Sequence, residues 1–279
     1  MKKKVKYRLV NMTAKEAQEA FEKRHIVVFP IGSIHKHGDI PIGIDNQGPE
    51  EIALRLGERI PEKTIVLPLL PYGVSSSADV LPGGINTSYT PVREMVKDVC
   101  LSVIKHGITH ILFLSGHGGN FNALVDVAME LHKYGVLSAI VRWYVLIGEL
   151  KGDVEPTYTD AHITEPCVSA ALDLVDDTSI LRAGEMRLPT LHKKILGEKF
   201  IPKRGSPRHS LLFKGGTTQI PLPSAHIDLS NTEPGNWESI ADKVSAKKGE
   251  DILNNCVDWM EKFIEEFEKA KIPKEYIEV

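Results

Sequence analysis

The chain has 279 residues, with 34 Lys and Arg against 37 Asp and Glu and a formal net charge of −3. Hydrophobic content of 42% and charged content of 25% are those of a soluble globular protein, long enough for one large α/β domain or two small ones. This balance excludes a global electrostatic case for nucleic acid or an anionic membrane as partner, and no run approaches the length that spans a bilayer. Cys100, Cys167 and Cys256 are few and scattered, which excludes a disulfide framework and a thiolate zinc knuckle and fits a reducing cytoplasm. No cleavable leader follows the basic start "MKKKVKYRLV".

Thr13 and Glu16 stand at capping-box spacing, so a helix is predicted over 13–24. "IVVFPI" (26–31) is short, β-branched and apolar, the pattern of a buried strand. Helical periodicity predicts a helix over 49–60, and "TIVLPLL" (64–70) a second buried strand. Residues 71–90 are rich in Ser, Gly and Pro and read as a long functional loop. A helix is predicted over 91–107, from Pro91 to the stop at Gly107, and a strand over "THILFLSG" (109–116). A helix over 120–134, ended by Gly135, a strand over 136–143 and a helix over about 165–175 complete the alternation. Residues 182–214 are basic and read as an excursion from a single domain covering 1–279. The last helix, over about 245–270, carries an apolar stripe from Ile252 to Phe267 and packs on the core. Strands alternating with helices predict a three-layer α/β/α sandwich with a mostly parallel central sheet.

Ligands of such sheets bind outside the carboxyl ends of the strands. Three polar clusters fall there. "GSIHKHGDIPIGID" (32–45) follows the first strand, and His35 and His37, two apart on extended chain, can face one point. Asp45 can return to that point, although Asp39 and Asp45 can equally cap the next helix. "SGHGGNFN" (115–122) follows the third strand and brings His117 from a neighbouring strand end. Its glycines also suit a plain turn or a phosphate loop, but the Lys-Ser/Thr ending of a P-loop is missing. "TDAHITEPCVSAALDL" (159–174) adds Asp160, His162 and Glu165 at an expected loop-to-helix junction. Mixed imidazole and carboxylate donors without thiolate suit a catalytic zinc, manganese or iron site.

These stretches resemble the creatininase (creatinine amidohydrolase) family. "GSIHKHGDIPIGID" is similar to its Gly-Ser-x-Glu-x-His-Gly segment, and "SGHGGN" to its Asn-Gly-His-Gly-Gly-Asn. "AHITEPCVSAALD", "ADKVSAKKGEDIL" (241–253) and "LPGGIN" (81–86) match further family segments in the family's order, from about residue 26 to 265. The resemblance implies a two-metal site in a ring-shaped homo-oligomer, with a hexamer favoured. It implies His37, Asp45, His117 and Glu165 as ligands, Asp45 as the bridge, and His162 as the catalytic histidine with Asp160 beside it. His35 stands where the family has Glu and is a further ligand candidate. Replacing a carboxylate by imidazole leaves about one net positive charge by formal counting over two divalent ions, which would favour either an anionic substrate or a single tightly held metal. Gly118, Gly119 and Asn120 of the "GHGGN" turn, Gly84 of the long loop and Trp237 are the expected substrate contacts, with His226 a further pocket candidate.

The function these readings imply is hydrolysis of a small polar molecule by metal-activated water, at the C–N bond of a cyclic amide or formamide. Ring-opening of a cyclic diketone and a metal-free small-molecule binding protein are the alternatives.

Overall fold

The computed structural model describes residues 5–35, 40–75, 83–150, 158–175, 182–183, 199, 201–202, 210–219, 238–239, 242–273, 275 and 277. For 158–162, 182–183, 201–202, 210–212, 219 and 238–239 it describes the backbone alone. The expected sites His37, Asp39, Trp237 and His226 lie outside the described residues.

Helix α1 (Ala14–Lys23) is fixed at its start by the full capping box. The Thr13 hydroxyl accepts from the Glu16 N–H, and the Glu16 carboxylate accepts from the Thr13 N–H. Strand β1 (Ile26–Ile31) follows, buried at every position. Helix α2 (Ile44–Arg59), strand β2 (Thr64–Val66), helix α3 (Tyr89–Ile104) and strand β3 (His110–Ser115) come next. A 3-10 turn at Gly118–Asn120 leads into α4 (Phe121–His132), strand β4 (Leu137–Arg142) and α5 (Trp143–Leu150). Helix α6 spans Tyr158–Ala171, and the last helix, α7, spans Ala246–Phe267 with Ser245 accepting from the Lys248 N–H at its start.

The four strands β1 to β4 form one parallel sheet in the order β2-β1-β3-β4. Central β1 and β3 are buried at all six positions, whereas flanking β4 is mostly half-buried. This is why the two central strands read as unbroken apolar runs. Alternate residues feed two cores. Val28, Leu112 and Leu114 meet α2, α5, α6 and α7 on one face, around Ile44, Leu56, Trp143, Leu253 and Met260. Val27, Phe29, Ile111 and Phe113 meet α1, α3 and α4 on the other, around Phe21, Val96, Leu124 and Val127. The architecture is the expected sandwich.

Short antiparallel pieces occupy the basic region. Strand β5 (Arg182–Ala183) pairs with β9 (Glu238–Ser239), and β6 (Ile201–Pro202), β7 (Ser210–Phe213) and β8 (Gly216–Gln219) form a second small sheet. The β7–β8 turn places Lys214 and Gly215 at φ of 47° and 81°, the left-handed pair a tight hairpin requires.

Several expected boundaries move. Helix α2 begins at Ile44 rather than at residue 49, because the N–H groups of Asn46 and Gln47 both reach the Gly43 carbonyl and start a turn before Pro49. Strand β2 ends at Val66 rather than residue 70, since Pro68 has no N–H to continue the ladder; the chain meets β1 again at Leu70, whose N–H donates to Pro30 O. Trp143 leaves the fourth strand and opens α5, a helix its surrounding apolar run concealed. Helix α6 starts at Tyr158, so Asp160, His162 and Glu165 sit within a helix and not at a loop junction. Gly249 lets α7 lie against α6, since a Cβ there would fall 1.9 Å from the Cys167 carbonyl oxygen.

Candidate metal centre

The carboxyl ends of β1 and β3 are adjacent, with Ile31 paired to Ser115. The chain leaving β1 presents His35, and the chain leaving β3 presents His117. The first turn of α2 returns Asp45 between them. All three side chains are buried, with 6%, 1% and 3% exposure for His35, Asp45 and His117. One ligand atom from each lies within 4.8 Å of the others. His117 Nδ1 is 2.8 Å from Asp45 Oδ2, and His35 Nδ1 is 3.5 Å from the same oxygen. The two imidazoles meet edge to face, 4.4 Å between centroids.

Glycines make this convergence sterically possible. A Cβ on Gly116 would stand 1.9 Å from the Asp45 carbonyl oxygen, and one on Gly32 would stand 1.9 Å from Asn46 Oδ1. Pro49, which cannot donate to that Asp45 carbonyl as a helical residue would, packs beside Gly116. Thus the first turn of α2 is pressed directly onto the strand end that carries His117.

The chemistry of the donor set fits a divalent cation. His117 Nε2 lies 3.1 Å from the Val74 carbonyl oxygen, and a carbonyl only accepts, so Nε2 carries the hydrogen. In the neutral ring the Nδ1 lone pair then faces a carboxylate oxygen at hydrogen-bond distance. A shared metal ion would take an electron pair from both of these atoms. Two ligands at ~2.1 Å from one ion at near-tetrahedral angles are about 3.4 Å apart; the His35–Asp45 separation of 3.5 Å matches this, and the His117–Asp45 separation of 2.8 Å is shorter.

The other expected site residues fall as follows. Glu165 is buried at 7% exposure on α6, and is not one of the three side chains that converge within 4.8 Å. Asp160 and His162 lie in the first turns of α6, with side chains outside the described residues. Gly118 and Gly119 form the 3-10 turn after His117 and are half-buried. Gly119 has no room for a side chain, because a Cβ would meet Val74 O at 1.9 Å. Gly84 is half-buried on a loop whose next residue, Ile85, donates its N–H to Ile34 O. Asn120, expected to touch substrate, is fully buried and spends both ends of its carboxamide on backbone: Oδ1 accepts from Val74 N–H at 2.9 Å and Nδ2 donates to Gly32 O at 2.9 Å. Val74 was not foreseeable from the sequence, because it acts through its backbone and no side-chain pattern marks such a role.

Fold and site together define a parallel α/β/α protein with a buried histidine–carboxylate cluster able to hold a metal ion at the carboxyl edge of its sheet. The model of the family described as creatinine amidohydrolase matches residues 10–264, and the chain belongs to this creatininase family. A crystal structure of creatinine amidohydrolase superposes with a TM-score of 0.67 at 21% identity, covering 94% of this chain and 98% of that one. A creatininase with Mn superposes with a TM-score of 0.66 at 22% identity, covering 94% and 98%. The mycofactocin precursor peptide peptidase of Mycolicibacterium smegmatis is 27% identical over 114 residues, 39% of this chain. The match spans 45% of that relative's own length. No described helix is long and apolar enough to cross a membrane.

Proposed function

We propose that the chain is a metal-dependent hydrolase that cleaves a C–N bond of a small polar amide. The observation that carries this reading is the buried convergence of His35, Asp45 and His117, with the Nδ1 edge of His117 facing Asp45 Oδ2 at 2.8 Å. These three side chains would hold a zinc, manganese or iron ion, and the family resemblance implies His37 and Glu165 as further ligands of a two-metal site. When bound, such an ion supplies a water acidic enough to ionise near neutral pH and polarises the carbonyl under attack. Asp45 supplies fixed negative charge. His117, tied to Val74 O, supplies an imidazole of set orientation. His162, two helical turns closer to the start of α6 than the buried Ser169, is the proposed proton carrier to the leaving nitrogen. Replacement of the family Glu by His35 removes one negative charge from the site and favours an anionic substrate. A ring-shaped homo-oligomer and a cytoplasmic address complete the proposal.

A peptide C–N bond is the second reading, favoured by the likeness to a peptide peptidase over 114 residues. Metal analysis of protein purified without added metal is the first test, with one or two ions per chain expected. Turnover is then assayed against cyclic amides, formamides, cyclic diketones and short peptides. Metal-dependent cleavage of a diketone and not of any amide would overturn the C–N assignment. Ligand binding by a chain that retains no metal would establish a binding protein instead.

A further inference from the structure

Asn120 sits at the end of the 3-10 turn after His117, and its carboxamide joins three loops. Nδ2 donates to Gly32 O on the chain leaving β1, and Oδ1 accepts from Val74 N–H on the chain following β2. Its orientation is fixed by those partners, since a flipped amide would set donor against donor and acceptor against acceptor. The same Val74 offers its carbonyl to His117 Nε2 at 3.1 Å. Asn120 and His117 therefore clamp opposite ends of one residue. Glycines close the arrangement: a Cβ on Gly73 would stand 2.5 Å from Asn120 Oδ1, and one on Gly119 would stand 2.7 Å from His117 Nε2.

The clamp decides which ring nitrogen of His117 is offered to a metal. With Val74 O in place, Nε2 keeps the hydrogen and Nδ1 presents its lone pair toward Asp45. If Val74 moves away, the competing tautomer gains the advantage, because an Nδ1–H would donate to the Asp45 carboxylate in a charge-assisted bond. That bond would occupy the very atom a cation needs. We propose that Asn120 is a positioning residue: by holding Val74 it keeps His117 in the tautomer that can bind metal. The proposal rests on the metal-centre reading, and it removes Asn120 from the set of substrate contacts.

The test measures Zn²⁺ affinity by competition with a chromophoric chelator, and the visible spectrum of the Co²⁺-substituted full-length chain. Asn120→Ala loses both hydrogen bonds and is expected to bind Zn²⁺ about 10–100-fold more weakly, with an altered Co²⁺ band. Asn120→Asp keeps the acceptor for Val74 N–H and is expected to fall between Asn120→Ala and the parent. Asn122→Ala, an exposed neighbour, is expected to leave both readouts unchanged. Parent-like Zn²⁺ affinity and Co²⁺ spectrum in Asn120→Ala would overturn the proposal, whatever its thermal midpoint. If Asn120→Ala does not fold, parent-like values in Asn120→Asp would overturn it equally. Failure of the metal-centre reading shows in a different arm: the parent would then bind Zn²⁺ no better than His117→Ala.

Discussion

Strand β3 carries a buried histidine near each end of its path, and the two are used differently. His110, at the amino end, has 7% exposure, and His117, just past the carboxyl end, has 3%. Each places Nε2 on a backbone carbonyl, that of Ala270 at 2.9 Å for His110 and that of Val74 at 3.1 Å for His117. The second nitrogens differ. His110 Nδ1 accepts from the neighbouring Thr109 hydroxyl at 2.9 Å, a complementary pair that needs nothing more. His117 Nδ1 faces a buried carboxylate oxygen at 2.8 Å, an arrangement that a shared cation would complete. Burial alone therefore does not mark a functional histidine; the partner of its second nitrogen does. His110 staples the end of α7 to the sheet, with its ring edge to face against Phe267 at 4.9 Å.

The sharpest way to break this contrast is to exchange the carboxylate. Asp45→Asn should weaken metal binding by more than the about 10–100-fold typical of residues that only orient a ligand, and should abolish turnover, while the metal-free chain still unfolds cooperatively. Elemental analysis and urea titration together check this. His110→Ala should do the reverse. Loss of two hydrogen bonds and a packed ring is expected to cost about 2–4 kcal/mol of stability, with Zn²⁺ affinity unchanged in the chelator competition. Gly116→Ala tests whether α2 must press on β3. Its Cβ would collide with the Asp45 backbone, so about 1–3 kcal/mol of destabilisation should appear together with weakened metal binding.

Smaller effects belong away from both histidines. Arg55 of α2 reaches Glu51 and the α7 residue Glu250, and Arg59 at the end of α2 and Lys63 in the turn after it reach Asp258 and Glu268. The hydrogen bond from Arg55 is the main reason the Glu250 carboxyl is held below its ordinary value. Because the pair is partly exposed, Arg55→Met should cost only about 1 kcal/mol at neutral pH. That stabilisation is present above the unfolded carboxyl value of about 4.3 and is lost as pH falls through the lower folded value. Urea midpoints of both chains at pH 7 and pH 3 should therefore converge at the acid end. Burial pushes the Cys100 and Cys256 thiols up to about 12, so neither should react with a thiol reagent at pH 8 until the chain is unfolded.

Some of this was written in local pattern. The capping box at Thr13 and Glu16, the apolar runs of β1 and β3 and the stop glycines are short-range signals. Gly107 and Gly135 occupy φ of 92° and 73°, as stops in the left-handed region should. The histidines and Asp45 were legible as candidates because they follow strands of an evident parallel sheet. The start of α2 was not, since Pro49 imitates a first helical position while Gly43 O already collects two N–H groups. Nor was α5, where Trp143 continues the apolar run of β4 without a break.

Sequence alone determined the four strands of the parallel sheet, most helices and the residue types able to grip a cation, because periodicity and side-chain chemistry act over a few neighbours. Only the tertiary structure decided which of them meet. Parallel pairing set the end of β1 beside the end of β3, four glycines allowed backbone to touch backbone there, and a carbonyl of Val74 chose which nitrogen of His117 looks inward. Such contacts join residues 32, 45, 74, 117 and 120, and no local pattern of side chains encodes a partnership made through distant main-chain atoms.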